Sequence, residues 1–271
     1  MPDRFRVEVA PSQHVTATDY PAATANRAGV TLILGHGAGA DLTSGFMVVF
    51  ATALADRGID IVTFNFLYSE NRRRIPDPNP RLESCWRAVI EAVRSRITSS
   101  ASKLAVGGKS MGGRIASQVA AGGTGDLAAL VLLGYPLHPP GWPDRLRAAH
   151  LRDVKAPMLF VQGSRDPFGT PAELQPIVSR LAPTADLFVV EGGDHSFKRS
   201  EERRGQATGR ASRHPGSDRN LAADPCRQPS LNGSGQRDEG GRDGAAQQGL
   251  AGLPLGGGVE GFEELRLAAS E

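Results

Sequence analysis

The sequence is poor in several features that would mark large classes of protein. It holds two cysteines in 271 residues, Cys85 and Cys226. They lie far apart in segments of unlike character, which argues against a disulfide framework and a thiolate metal cluster. Cys85 reads as an ordinary residue of a buried helix face. Charge is nearly balanced, with a formal net charge of +2, too little for a general attraction to nucleic acid or to an anionic membrane. Residues 1–10 alternate charged and apolar side chains. They lack the continuous apolar run that a secretory signal or a membrane-spanning helix requires. No metal-ligand cluster or phosphate-binding motif is evident. The expected ligand is a small molecule, with no nucleic acid, membrane, metal or cofactor, in a cytoplasmic protein, and the oligomeric state is not legible.

What is present is a hydrophobic content of 39%, enough for a real core. Up to about residue 197, short apolar runs alternate with longer amphipathic stretches, the pattern of an α/β unit with a mostly parallel sheet. The runs at 30–34, 59–64, 103–106, 127–133, 158–162 and 185–190 are rich in Val, Ile, Leu and Phe, as strands buried on both faces tend to be. Helical spacing of apolar residues predicts helices over 46–57, 81–97, 111–121 and 170–181, the last opening on a Thr170 cap and Pro171 in the first turn.

The segment Gly107-Gly108-Lys109-Ser110-Met111-Gly112-Gly113 joins an expected strand to an expected helix, the context of a G-x-S-x-G nucleophile elbow. Glycines on both flanks permit a tight, strained turn that lifts the serine hydroxyl clear of the sheet. The Met111 N–H would then face an oxyanion at the helix amino terminus. The plainer alternative is that Ser110 merely caps that helix. A serine needs a histidine to take its proton and a carboxylate to hold that imidazole, and in this chain order the acid precedes the histidine. Asp166 follows one expected strand and His195 follows the next, at the ends where open α/β sheets bind ligands. Asp194 is the rival acid, but a neighbour in sequence rarely reaches the ring with suitable geometry. An imidazole base must be neutral, so turnover is expected to fall below about pH 6 to 7. The turn Gly35-His36-Gly37-Ala38-Gly39-Ala40 misses dinucleotide-binding spacing. Ala38 is the choice for the second oxyanion N–H, and His36 reads as a structural residue of that loop.

On these four phrases, around residues 35–40, 108–114, 163–168 and 193–197, the chain resembles the α/β-hydrolase superfamily. Within it, it is similar to small lid-less members of dienelactone-hydrolase type and to the testis-expressed and NSL-complex hydrolase-like group. The resemblance implies an α/β-hydrolase fold, helices flanking a mostly parallel sheet without a large lid domain. It also implies cofactor-free hydrolysis of carboxylic esters, thioesters or related acyl compounds. Dienelactone hydrolases use a cysteine nucleophile where this chain has Ser110, which puts a dienelactone substrate in doubt. Serine rather than aspartate at the elbow argues against dehalogenation. Residues 134–155 are short and carry Pro136, Pro139, Pro140 and Pro143, unsuited to a large helical lid. Tyr135, Leu137 and Trp142 are candidates to line the site, with surface packing the equal alternative.

From residue 199 the composition shifts to Gly, Arg, Ser, Gln, Asp and Glu, with no Ile, Tyr, Trp, Met or Lys. Such a segment buries too little apolar surface to order itself. The expected division is a hydrolase domain over 1–198, lacking the final helix usual after the histidine loop, and a tail over 199–271. The tail is either a disordered extension, with 259–269 as a short docking helix, or an out-of-frame reading from near Lys198. Two functions follow. One is a serine hydrolase working through Ser110, His195 and Asp166 with Met111 and Ala38 at the oxyanion. The other is a non-catalytic interaction protein on the same scaffold. The run Arg72-Arg73-Arg74 reads as a solvated loop and only a weak pointer to acidic substrates.

Overall fold

The computed structural model describes residues 2–23, 27–97 and 103–199; the expected tail over 199–271 therefore lies outside the described residues, apart from Arg199. Eight strands form one sheet: β1 (Asp3–Ala10), β2 (Gln13–Tyr20), β3 (Val30–Gly35), β4 (Asp60–Phe64), β5 (Lys103–Lys109), β6 (Ala129–Leu133), β7 (Met158–Gly163) and β8 (Ala185–Val190). Their spatial order is β1-β2-β4-β3-β5-β6-β7-β8. All pairs from β4 to β8 are parallel, while β1 with β2 and β2 with β4 are antiparallel. The helices are α1 (Gly45–Asp56), α2 (Leu67–Glu70), α3 (Asn79–Arg96), α4 (Met111–Ala121) and α5 (Pro171–Leu181). This is the α/β-hydrolase fold.

The central strands are apolar at nearly every position because both faces are covered. Ile33, Val106, Leu130, Leu132 and Phe160 point into one core, shared with Leu82, Trp86 and Val89 of α3, Ile115 and Val119 of α4, and Leu174 and Val178 of α5. Their neighbours Leu32, Leu34, Ala105, Val131, Leu133, Leu159 and Val161 point into a second core with Met47, Ala51 and Leu54 of α1. Alternation of this kind is the period of two that a pleated strand imposes. Thr170 caps α5 through a reciprocal pair with Glu173, and Pro171 occupies its first turn, as the sequence predicts.

The β1–β2 hairpin, the short helix α2 and the end of β5 differ from the sequence reading. The hairpin of β1 and β2 went unassigned, because its alternating polar and apolar residues make only one half-buried face. Strand β5 runs on through Gly107, Gly108 and Lys109 instead of stopping at Val106. Those two glycines lie in parallel register with Val131 and Leu132 of β6; they serve close packing within the sheet before the turn begins. As the sequence reading expects, residues 134–157 form no large helical lid and carry only a 3-10 segment, Ala149–Asp153.

Helix α4 packs hard against β3. A Cβ on Gly112 would collide with the Gly35 carbonyl and lie 2.7 Å from the His36 carbonyl oxygen. Helix propensity alone favours alanine over glycine by about 1 kcal/mol, but overpacking against backbone costs about 1–3 kcal/mol and neither partner is a movable side chain. Gly112→Ala is therefore expected to lower stability by about 1–2 kcal/mol, read as a lower urea midpoint at constant m-value. An unchanged or higher midpoint would show that α4 can slide away from β3 at little cost.

Candidate active site

One residue joins β5 to α4. Ser110 sits between Lys109, the last strand residue, and Met111, the first helical one, with φ 52° and ψ −115°. A side chain in this left-handed region costs of order 1–3 kcal/mol. The backbone holds it there from both sides. The Ser110 N–H donates to the Leu133 carbonyl at 2.9 Å, and its carbonyl accepts from the Arg114 N–H at 3.0 Å. The hydroxyl makes no capping bond to α4, so the plain capping alternative is set aside. Ser110 Oγ instead lies 2.9 Å from His195 Nε2.

His195 comes from the loop after β8, and its Nδ1 lies 2.7 Å from Asp166 Oδ2. Asp166, from the turn after β7, is fully buried while His195 keeps 21% of its side chain exposed. The Asp166 carboxylate accepts from the Phe168 N–H at 2.9 Å and from Gln162 Nε2 at 2.9 Å. Gln162 also donates to the Gly169 carbonyl at 2.7 Å and accepts from the Tyr135 N–H at 2.8 Å. It thus ties three chain segments to the acid. Sequence reasoning passed over Gln162; the available signal was an amide closing an otherwise apolar strand. The Phe168 ring lies 4.3 Å from the imidazole, centroid to centroid, and limits its rotation. Asp194 does not serve His195: its Oδ1 accepts from the N–H groups of Ser196 at 2.8 Å and Lys198 at 3.0 Å, which shapes the histidine loop.

The loop after β3 forms the facing wall. His36 is fully buried; its Nδ1 is 2.8 Å from the Gly37 carbonyl and its Nε2 accepts from the Phe66 N–H at 3.3 Å. These partners fit the neutral tautomer, and burial lowers its pKa. It is a structural residue of the loop, as expected. Ala38 and Met111 both line the same cleft as Ser110 and His195, a cavity of about 550 Å³. Met111 opens α4, where an N–H has no carbonyl a turn earlier to bond. Such a volume suits a small organic ligand. Tyr135, Leu137 and Trp142 do not line it. Tyr135 and Leu137 are core residues, and Trp142 is 55% exposed under the Arg145 guanidinium. Pro136 and Phe168 take the lining positions instead, because Tyr135 turns inward to donate its hydroxyl to the Arg147 carbonyl.

A second serine–histidine pair exists. Ser117 Oγ lies 2.8 Å from His150 Nε2 and 2.7 Å from the Arg114 carbonyl. Ser117 is fully buried and no carboxylate hydrogen-bonds His150 among the described residues, so the pair packs α4 against the 3-10 segment. Cys85 is buried on α3, its thiol pushed up to about 12 by burial; Cys226 lies outside the described residues. Among the described residues no group of three or more His, Cys, Asp or Glu side chains could hold a metal ion, and no helix is long and apolar enough to cross a membrane.

A nearly one-residue strand-to-helix turn carrying a serine, facing a histidine backed by a buried carboxylate, marks a serine-hydrolase-type α/β fold. The family model described as alpha/beta hydrolase domain matches residues 28–215, and the chain belongs to that family. Similar solved structures include an alpha-beta serine hydrolase homologue from Coxiella burnetii, with TM-score 0.60 and 21% identity over 78% of this chain and 97% of that one. A serine hydrolase without a lid from Xanthomonas campestris gives TM-score 0.60 and 20% identity over 77% and 92%. Dienelactone hydrolase from Anabaena variabilis gives TM-score 0.57 and 21% identity over 77% and 95%.

Lys109 was quoted in the elbow but given no task by the sequence. It is 8% exposed, and its ammonium has no hydrogen-bond partner among the described residues. The rings of Phe46 and Phe197 lie 5.8 and 5.5 Å away. Burial lowers its pKa to about 8, against a smaller opposing pull from Asp166. Below pH 8 both folded and unfolded chains hold this proton, and the fold carries the full cost of a buried charge. Between about pH 8 and 10.5 the unfolded chain alone stays protonated, so stability rises with pH across that window. Lys109→Met is expected to stabilise the protein at pH 7, by at most about 3 kcal/mol, and to flatten that rise. Urea titrations at pH 7 and 10 check both; a less stable variant would mean that the ammonium is well solvated.

Proposed function

We propose that the protein is a serine hydrolase of carboxylic esters or related acyl compounds, acting through Ser110, His195 and Asp166. The observation that carries this reading is the continuous chain of short contacts, 2.9 Å from Ser110 Oγ to His195 Nε2 and 2.7 Å from His195 Nδ1 to Asp166 Oδ2. Ser110 Oγ attacks the acyl carbon while its proton passes to His195 Nε2. The oxyanion of the tetrahedral intermediate lies against the N–H groups of Met111 and Ala38. The intermediate collapses with breakage of the bond to the leaving oxygen or sulfur, which takes the proton from His195 and departs as alcohol or thiol. A water then attacks the acyl-enzyme, giving its proton to His195. The Ser110–acyl bond breaks, the proton returns to Ser110 Oγ, and the carboxylic acid leaves.

Asp166 keeps the imidazole in one tautomer; its carboxylate also accepts from Gln162 Nε2 and the Phe168 N–H. The hydrolase unit is proposed to span residues 1–198. Among the described residues no lid covers Ser110, and a cleft of about 550 Å³ suits small acyl substrates.

A fluorophosphonate probe, with mass spectrometry of the labelled peptide, tests the reading. Labelling is expected on Ser110 and lost in His195→Ala. Turnover of 4-nitrophenyl acetate should fall on the order of 10³-fold or more in Ser110→Ala and about 10⁴-fold in Asp166→Asn. A folded protein that neither labels nor turns over an activated ester would favour the non-catalytic scaffold.

A further inference from the structure

The cleft wall beside Ser110 carries more positive charge than its neighbours balance. Arg114, in the first turn of α4, and Arg147, in the segment after β6, both line the cavity. Arg114 is four residues beyond Ser110, about 6 Å along the helix axis, and side chains on a helix lean back toward its amino end. Its guanidinium donates to Gln118 Oε1 and Asn79 Oδ1, each at 3.3 Å, and both are neutral amides. Neither Arg114 nor Arg147 forms an ion pair among the described residues.

Two arginines lining one cavity repel each other. Burial first, and then the charge of Arg147, lower the pKa of Arg114, with Tyr135 and the Glu83 carboxylate opposing. The only carboxylate lining the cavity among the described residues is Asp77; its Oδ1 lies 2.7 Å from Arg73 and 3.9 Å from Arg81, so two further guanidiniums offset its charge, while its buried Oδ2 has no hydrogen-bond partner among the described residues. The Lys109 ammonium behind the same wall and the amino end of α4 add further positive potential. Holding these cations together is costly when the cleft is empty and favourable when an anion lies between them. Guanidinium groups bind carboxylates through paired, parallel N–H donors.

We propose that Arg114 and Arg147 form an anion subsite beside Ser110, and that the substrate is a small ester carrying a carboxylate. The substrate class rests on the hydrolase reading above; the anion subsite does not.

Two measurements separate them. The first compares kcat/KM for mono-4-nitrophenyl glutarate and for neutral 4-nitrophenyl butyrate. The wild-type protein should favour the anionic ester by about tenfold or more, and that preference should fall about tenfold in Arg147→Gln and in Arg114→Gln. Arg147 lies outside regular structure, so its variant covers the case in which the Arg114 change disturbs α4. A wild-type preference for the neutral ester, or equal losses on both esters, overturns the proposal. The second is calorimetric titration of Ser110→Ala with glutarate, which needs no turnover. Binding that weakens about tenfold in Ser110→Ala/Arg147→Gln supports the subsite, even if neither ester is hydrolysed and the hydrolase reading fails. No binding, or tighter binding of inorganic phosphate than of glutarate, overturns the carboxylate subsite.

Discussion

The backbone of Ser110 is the constraint on which the arrangement depends. With a single residue between strand and helix, α4 must begin directly beneath the sheet edge and pass within backbone contact of β3. Only residues without a Cβ tolerate that approach at Gly108 and Gly112, both of which would otherwise strike the Gly35 carbonyl. The left-handed turn costs of order 1–3 kcal/mol. It persists because β5 is a central strand and α4 is buried along Met111, Ile115, Ala116 and Val119. Burying such side chains contributes about 1.5–3 kcal/mol for each large one, so the packing of α4 outweighs the strain several times over. The strain thus fixes the direction of the Ser110 hydroxyl, and the core holds it fixed.

That dependence explains what was readable in the sequence. Central strands and long helices show their period directly, since Leu130 and Leu132 face one core and Val131 and Leu133 the other. Ser110, Asp166 and His195 were findable because each sits just past an apolar run, where a parallel sheet must release its chain. Residues whose role is set by distant partners were not. Gln162 looks like any strand-ending polar residue until Tyr135, Asp166 and Gly169 are seen around it. Tyr135 and Leu137 follow a glycine and flank a proline, which reads as surface loop, yet both are buried. The β1–β2 hairpin escaped because a half-exposed alternation also fits an irregular terminus.

The two serine–histidine pairs show what separates chemistry from packing. Ser117 and His150 approach as closely as Ser110 and His195, at 2.8 against 2.9 Å. Burial and the nearby Arg114 lower the pKa of His150, with Asp153 opposing only weakly. Its serine is sealed from solvent, so no acyl group can reach it. At the cleft the situation is inverted. A fully buried carboxylate faces His195 Nδ1 at 2.7 Å and fixes the orientation of the ring toward Ser110. His150 has no such carboxylate partner among the described residues.

The segment after β6 has an electrostatic consequence, because it brings Arg147 to the cavity. A lid would bring apolar surface over Ser110 and keep charged side chains at its outer face. Here Tyr135 and Leu137 are buried in the fold while residues 140–146 are exposed, and the segment closes on itself through the Arg147 N–H to the Leu137 carbonyl at 2.8 Å and the Tyr135 hydroxyl to the Arg147 carbonyl at 2.6 Å. Those two bonds fix the Arg147 backbone beside the cavity that Arg114 lines from α4. In a water-filled cleft each guanidinium is partly screened; a ligand that displaces the water removes that screening and strengthens whatever charge it offers in return. A neutral ester of the same shape would leave both cations desolvated and unpaired, a penalty that discriminates against it more sharply than lost contact area.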